Sequence, residues 1–272
     1  MTLSPDPLPA SRWRFLGVVA PVLDARAGWL SALGGRHQRA MADEEVDACV
    51  AMLRSLPGVV ADWSDASVAL EVDVVVADAP LRRLARVGAG WWADPGAALD
   101  LVAPHLGRPR DSVLLLYPTD GAPELRSAWG YTWGTVDILG RAGFSAIVSD
   151  PWPGWATIED PAHGFVHEWL HQVEGVYRGL GLSEDELPSL HDVADRRTTR
   201  PDAPDRVETY VEHERRTGSW RPWYRDYMTG TVGPKTGEVP RTRGLTRERW
   251  LRRPNPPMAG EAGLDAGTGR GA

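Results

Sequence analysis

P-A-H-G-F-V-H-E-W-L-H-Q-V-E-G-V-Y-R-G-L-G, residues 161–181, is the segment with the clearest structural pattern in the chain. Apolar residues recur at helical spacing from Pro161 to Leu180, and the glycines at 179 and 181 are typical of a helix end. The pattern predicts one amphipathic helix that follows the strands of a sheet. Its apolar face is broad enough to be buried and consists of Phe165, Val166, Leu170, Val173 and Val176.

The same helix carries an H-E-x-x-H pattern. His167 and His171 are four residues apart, so both imidazoles project from one face and can close on a single metal ion. Glu168 does not ligate in this arrangement, but it is placed to take a proton from a zinc-bound water whose pKa the metal has lowered. Two structural histidines beside an incidental glutamate are the alternative interpretation. The helical context favours a metal site.

A catalytic zinc ion needs three protein ligands and one open position. We predict that His191, twenty residues beyond His171, is the third ligand, because the glycine turn and the acidic run at 183–188 are long enough to bring it back to the metal. Asp192 is an alternative. Glu174 is another, since it shares a helix face with the two histidines, although it is better placed to orient one of them.

Composition limits the kind of protein. The chain has 272 residues, 42% apolar and 25% charged, which is typical of a packed globular protein. A net charge of −7 argues against nucleic acid as a partner, because phosphate binding needs a basic face. Cys49 is the single cysteine and looks like a small buried hydrophobe, so any metal must be held by histidines and carboxylates.

The apolar run Phe15 to Leu23 is the one place where a targeting segment has to be considered. Asp24 and Arg26 do not fit a signal peptide, and the run is too short to cross a bilayer. We therefore predict a first β-strand here, a cytoplasmic protein and no membrane partner.

Other segments predict a central sheet. A helix is expected from Asp43 to Leu56, where Pro57-Gly58 ends the pattern. Strands are expected at 68–77, at 112–117 with both faces buried, and at Phe144–Ser149. Aromatic and β-branched residues predict a further, edge strand near 128–137. Strands followed by the motif helix indicate an α+β fold.

The motif and this order of elements resemble the zincins, a superfamily of zinc metallopeptidases; the five-residue motif is the specific part of the likeness. The resemblance implies one catalytic domain over residues 1–252 with a mixed sheet and a zinc-binding active-site helix. It would have an N-terminal lobe at about 10–181 and a smaller C-terminal lobe at about 182–252. Beyond it, the composition, mostly Pro, Gly, Ala and acidic residues, predicts a disordered tail at 253–272. No G-x-x-H follows the motif and no downstream E-x-x-x-D matches a thermolysin-like pattern, so the subfamily stays open.

The resemblance also implies an activity, the hydrolysis of peptide bonds. His167, His171 and His191 would hold Zn²⁺, and Glu168 would act as general base and then as proton donor. A peptide or protein substrate would lie along the edge strand from Trp129 to Trp133, around Tyr131.

Tyr224 and Tyr227 are candidates for stabilising the oxyanion that forms when water attacks the substrate carbonyl, with aromatic packing as the alternative.

Two other functions stay open. One is hydrolysis of a small amide or metabolite in a pocket shaped by some of the thirteen tryptophans. The other is a non-catalytic binding protein.

Overall fold

The computed structural model describes residues 10–27, 35–87, 90–121, 125, 130–132, 142–149, 162–190, 210–233 and 243–253. The fold is α+β, as predicted, with a five-stranded and a four-stranded sheet. The strands are β1 (Ser11–Val19), β2 (Val22–Ala27), β3 (Arg36–Ala40), β4 (Val68–Val76), β5 (Leu81–Val87), β6 (Gly90–Trp92), β7 (Ser112–Tyr117), β8 (Gly130–Thr132) and β9 (Gly143–Val148). The helices are α1 (Asp43–Trp63), α2 (Pro95–Val102), α3 (His163–Gly179), α4 (Tyr210–Thr217), α5 (Arg221–Thr229) and α6 (Arg247–Leu251), with a 3₁₀ turn at Ala103–His105.

The larger sheet is mixed and has the order β4-β1-β7-β9-β8. β1 runs parallel to β4 and β7, and β7 runs parallel to β9. β8 is the antiparallel edge strand, with Thr132 opposite Ser145 of β9. Every residue of β7 and β9 is buried, which confirms the prediction that 112–117 is covered on both faces.

Helix α1 is confirmed but is longer than predicted. It continues through Pro57 to Trp63 instead of ending at Leu56. A proline inside a helix costs about 3 kcal/mol. Val60 and Trp63 continue the apolar stripe of the helix and are fully buried, so the burial of these two side chains offsets that cost.

The first predicted strand is divided in the structure. β1 ends at Val19 and β2 begins at Val22, so the apolar run at 15–23 supplies parts of two strands that belong to different sheets. The smaller sheet, with the order β3-β2-β5-β6, was not predicted. In the described ranges no helix combines the length and the apolar character needed to cross a bilayer.

Tryptophans fix the motif helix α3 within the fold. The Trp169 ring lies edge-on to Trp13 of β1 at 5.5 Å and stacks on Trp250 of α6 at 6.0 Å. Arg253 follows α6, places its guanidinium 4.2 Å from the Trp13 ring centre and donates a hydrogen bond to the carbonyl of Arg12. The motif helix is therefore held between the first strand and the last helix. The tail was predicted to begin at 253; Arg253 is described, and residues 254–272 lie outside the described residues.

Helix α5 joins this arrangement through α1. Tyr224 stacks on Trp63 with ring centres 6.0 Å apart, and Trp220 meets Trp63 edge-on at 5.8 Å. Since Trp63 is fully buried, this contact fixes one face of α5. It brings Tyr224 to the motif helix.

Candidate metal and active site

Two histidines of helix α3 face each other. The Nε2 atoms of His167 and His171 lie 3.1 Å apart, and the rings are nearly perpendicular. Two nitrogens bound tetrahedrally to one zinc ion at about 2.0–2.1 Å would be separated by about 3.3 Å. The i, i+4 spacing therefore brings together two nitrogen donors at a separation that fits a shared zinc ion.

The other ring nitrogen of His167 is held by Tyr224. The Tyr224 hydroxyl lies 2.7 Å from Nδ1 of His167 and 3.2 Å from Nε2 of His163, and the tyrosine is fully buried. Burial lowers the pKa of His163 to about 3, so this imidazole is neutral and can accept the phenolic proton at Nε2. Tyr224 can then accept a hydrogen bond from Nδ1–H of His167. That tautomer leaves the Nε2 lone pair of His167 directed towards His171.

His163 lies four residues before His167, in the first turn of the motif helix. It is buried, with an exposed fraction of 1%, and it stacks on Trp220 with ring centres 3.6 Å apart. It therefore supports Tyr224 from the first turn of the motif helix.

The Glu168 side chain is buried beside the edge strand. Thr132 of β8 donates a hydrogen bond of 2.6 Å to Oε2 of Glu168, and 6% of the glutamate is exposed. Burial raises the pKa of Glu168 to about 7, and the hydrogen bond from Thr132 opposes that rise. A carboxyl group that titrates near neutral pH is suited to general acid–base chemistry.

A buried row of polar side chains leads to this glutamate. Ser112 of β7 bonds to Oε1 of Gln172, and Nε2 of Gln172 donates to Oγ of Ser145 at 2.6 Å. Oγ of Ser145 lies 2.7 Å from Oγ1 of Thr132. We call Ser112, Gln172, Ser145 and Thr132 the polar row. The sequence analysis missed it, although single hydroxyls inside the apolar runs of β7 and β9 were a signal for it.

Glu174 lies on the far side of His171. Its Oε2 is 4.0 Å from Nδ1 of His171, and its Oε1 is 3.4 Å from Arg178. It therefore approaches the ring nitrogen that does not face His167. Burial raises the pKa of Glu174, while Arg178 opposes the rise. This placement suits a group that orients His171.

Tyr227 lies in the core. Its ring stacks on Trp223 at 5.2 Å, and its hydroxyl has no hydrogen-bond partner among the described residues. Burial raises the pKa of Tyr227, and the nearby carboxylate of Glu174 raises it further. Aromatic packing, the alternative considered for this residue, is what the structure displays.

Several predicted site residues lie outside the described part of the chain, among them His191, Asp192, Trp129 and Trp133. Tyr131 is described as part of β8, without its side chain. Within the described residues, no group of three or more His, Cys, Asp or Glu side chains converges as a metal site would require. The described site thus contains the histidine pair and the glutamate.

Comparison with known proteins identified no relative of this chain. No family model matches the chain, and no curated protein matches it.

Proposed function

We propose that this protein is a zinc-dependent hydrolase of the zincin type that cleaves peptide bonds. The observation that carries the proposal is the 3.1 Å separation between Nε2 of His167 and Nε2 of His171, with the buried Glu168 between them in sequence. The mixed sheet with its antiparallel edge strand supports it, because that is the setting the zincin resemblance implies for such a helix.

The histidines would bind the ion. His167 and His171 would ligate through Nε2, and His191 would complete the set. Bound zinc would supply Lewis acidity, polarising the scissile carbonyl and lowering the pKa of a water molecule. Glu174 and Tyr224 would orient the two imidazoles from their Nδ1 sides.

Glu168 would move the proton. Its carboxylate would take a proton from the attacking water and then give it to the leaving amine, which requires a pKa close to the working pH. A pKa of about 7 meets that requirement. The oxyanion role predicted for Tyr224 and Tyr227 stays a prediction, and it would require their hydroxyls to leave fully buried positions.

The proposed substrate is an extended peptide on β8. In the described part of the chain, β8 is the last strand of its sheet, so its outer edge can pair with another strand. Thr132 belongs to this strand and touches Glu168, so a peptide paired there would lie beside the base. The cytoplasmic location and the absence of nucleic-acid and membrane partners remain predictions from the sequence.

The test combines metal content with cleavage. Wild-type protein, His167→Ala and Glu168→Gln would be purified, loaded with zinc and assayed by mass spectrometry and on a casein-derived peptide library. We expect one zinc per wild-type chain, its loss in His167→Ala, and full zinc with no cleavage in Glu168→Gln. Equal cleavage by Glu168→Gln, or no zinc in the wild type, would overturn the proposal. Cleavage of small acyl amides alone would keep the chemistry but change the substrate class.

A further inference from the structure

We propose that Thr132 is a positioning residue: its hydroxyl fixes the carboxylate of Glu168. The other three members of the polar row orient that hydroxyl. The inference deepens the proposed hydrolase function and rests on it. Thr132 would not react with substrate. It would determine where the base points.

The protons of the polar row can be arranged in one direction that ends on Glu168. Ser112 donates to Oε1 of Gln172, which turns the amide so that Nε2 donates to Ser145. A serine hydroxyl carries one proton. Since Oγ of Ser145 already accepts from Gln172, its proton can be given to Oγ1 of Thr132, 2.7 Å away.

The last step ends on the glutamate. Oγ1 of Thr132 lies 2.6 Å from Oε2 of Glu168 and 2.9 Å from the backbone carbonyl of the same residue. A hydroxyl that already accepts from Ser145 has one proton left to give, and a bond to a carboxylate is stronger than a bond to a carbonyl. The proton of Thr132 is therefore directed at Oε2.

Burial limits the alternative hydrogen bonds that the side chains of the polar row can make. Ser112 and Ser145 are fully buried and Gln172 is 1% exposed, so these three members of the row are shielded from water, while Thr132 at its end is partly buried. Hydrogen bonds in such surroundings cannot be exchanged for bonds to solvent without cost. The row runs from the central strand β7 through α3 and β9 to β8, so the orientation of the Glu168 carboxylate is tied to the two fully buried strands of the sheet.

The kinetic test compares three substitutions in the zinc-loaded protein. Thr132→Val keeps the shape and removes the hydroxyl, Thr132→Ser keeps the hydroxyl, and Ser145→Ala removes the group that orients it. We expect Thr132→Val to lower kcat by about 10- to 100-fold with little change in KM, because a misplaced base slows the proton transfer. Thr132→Ser should retain most of kcat, and Ser145→Ala should fall between the two.

Ser55→Ala is the matched control. Ser55 is an exposed residue of α1 whose hydroxyl donates to the carbonyl of Met52 in the same helix. Its replacement should leave kcat and KM unchanged. Unchanged kcat in Thr132→Val, or an equal loss in Thr132→Ser, would overturn the inference, since equal loss would mean that Thr132 only fills space.

A second measurement does not depend on activity. Urea unfolding of the zinc-free protein would be followed for Thr132→Val, Glu168→Ala and the double variant. If the hydroxyl holds the carboxylate, the shifts in urea midpoint are not additive, and Thr132→Val costs less once Glu168 is gone. Additive shifts would overturn the contact itself. Absence of zinc binding together with non-additive shifts would instead refute the proposed function and retain the Thr132–Glu168 contact.

Discussion

The phenolic hydroxyl of Tyr224 lies 2.7 Å from Nδ1 of His167, although the two residues are separated by 57 positions in the chain. The contact depends on helix α5, which is fixed by the stacking of Tyr224 on Trp63 of α1. The orientation of His167 therefore depends on a residue outside the motif helix. A residue far along the sequence holds its Nδ1 atom.

Removing this hydroxyl should weaken zinc binding. In Tyr224→Phe the Nδ1–H of His167 loses its acceptor, and loss of such a supporting hydrogen bond lowers metal affinity by about 10- to 100-fold. Competition with a chromophoric chelator measures the change. Tyr227→Phe is the control, because the Tyr227 hydroxyl has no hydrogen-bond partner among the described residues. Equal affinities in the two variants would contradict the role of Tyr224.

The identity of the third zinc ligand can be tested by comparing the zinc content of single variants. Two histidines leave a catalytic zinc ion one protein ligand short, so His191→Ala should lose zinc as fully as His167→Ala does. Glu174→Gln should keep it, because the Glu174 carboxylate approaches Nδ1 of His171 and Arg178. Metal content by mass spectrometry decides this. Zinc retained in His191→Ala but lost in Asp192→Ala would move the third ligand to Asp192.

Much of the larger sheet and the motif helix could be predicted because local patterns carry the information. The strands β4 and β7 were expected at 68–77 and 112–117 and are found at Val68–Val76 and Ser112–Tyr117. The motif helix, expected over 161–180, is α3. In both cases the spacing of the apolar residues indicates directly which residues are buried.

The smaller sheet could not be predicted, for a physical reason. β5 reads L-R-R-L-A-R-V, and the arginines at 82 and 83 are exposed, so half of the strand has no apolar signal. Its pairing with β2 joins segments that are distant in sequence. The polar row and the Tyr224 contact were missed for a similar reason, since both depend on tertiary neighbours that no local spacing reveals.

The pKa of Glu168 has a consequence for stability. In the zinc-free protein, burial raises this pKa from 4.5 to about 7. Between these values the unfolded chain releases the proton while the folded protein keeps it, so stability falls as pH rises, by on the order of 3 kcal/mol in total. Glu168→Gln does not titrate. We expect urea unfolding to show a larger stabilisation by Glu168→Gln at about pH 8 than at about pH 5, and an equal effect at both would contradict the buried carboxyl.

Cys49 should be unreactive in the folded protein. It is buried in α1, as the sequence predicted, and burial together with the nearby Glu45 raises the pKa of its thiol to about 11. Because the thiolate is the reactive form, alkylation by iodoacetamide near pH 8 should be at least about 100-fold slower than in denaturant. Mass spectrometry of timed samples measures both rates. Similar rates would show that Cys49 is accessible.

The contact of Arg253 with Trp13 bears on how the protein is made. Arg253 bonds to the carbonyl of Arg12, 241 positions earlier, and Trp250 covers the same tryptophan. β1 leaves the ribosome before residues 250 and 253, so this strand cannot reach its final packing until those residues have emerged. During that interval its apolar side chains depend on early pairing with β4 and β7, or on a chaperone. Slowing translation shortly before residue 250 should therefore lower the yield of folded protein more than slowing it before β1.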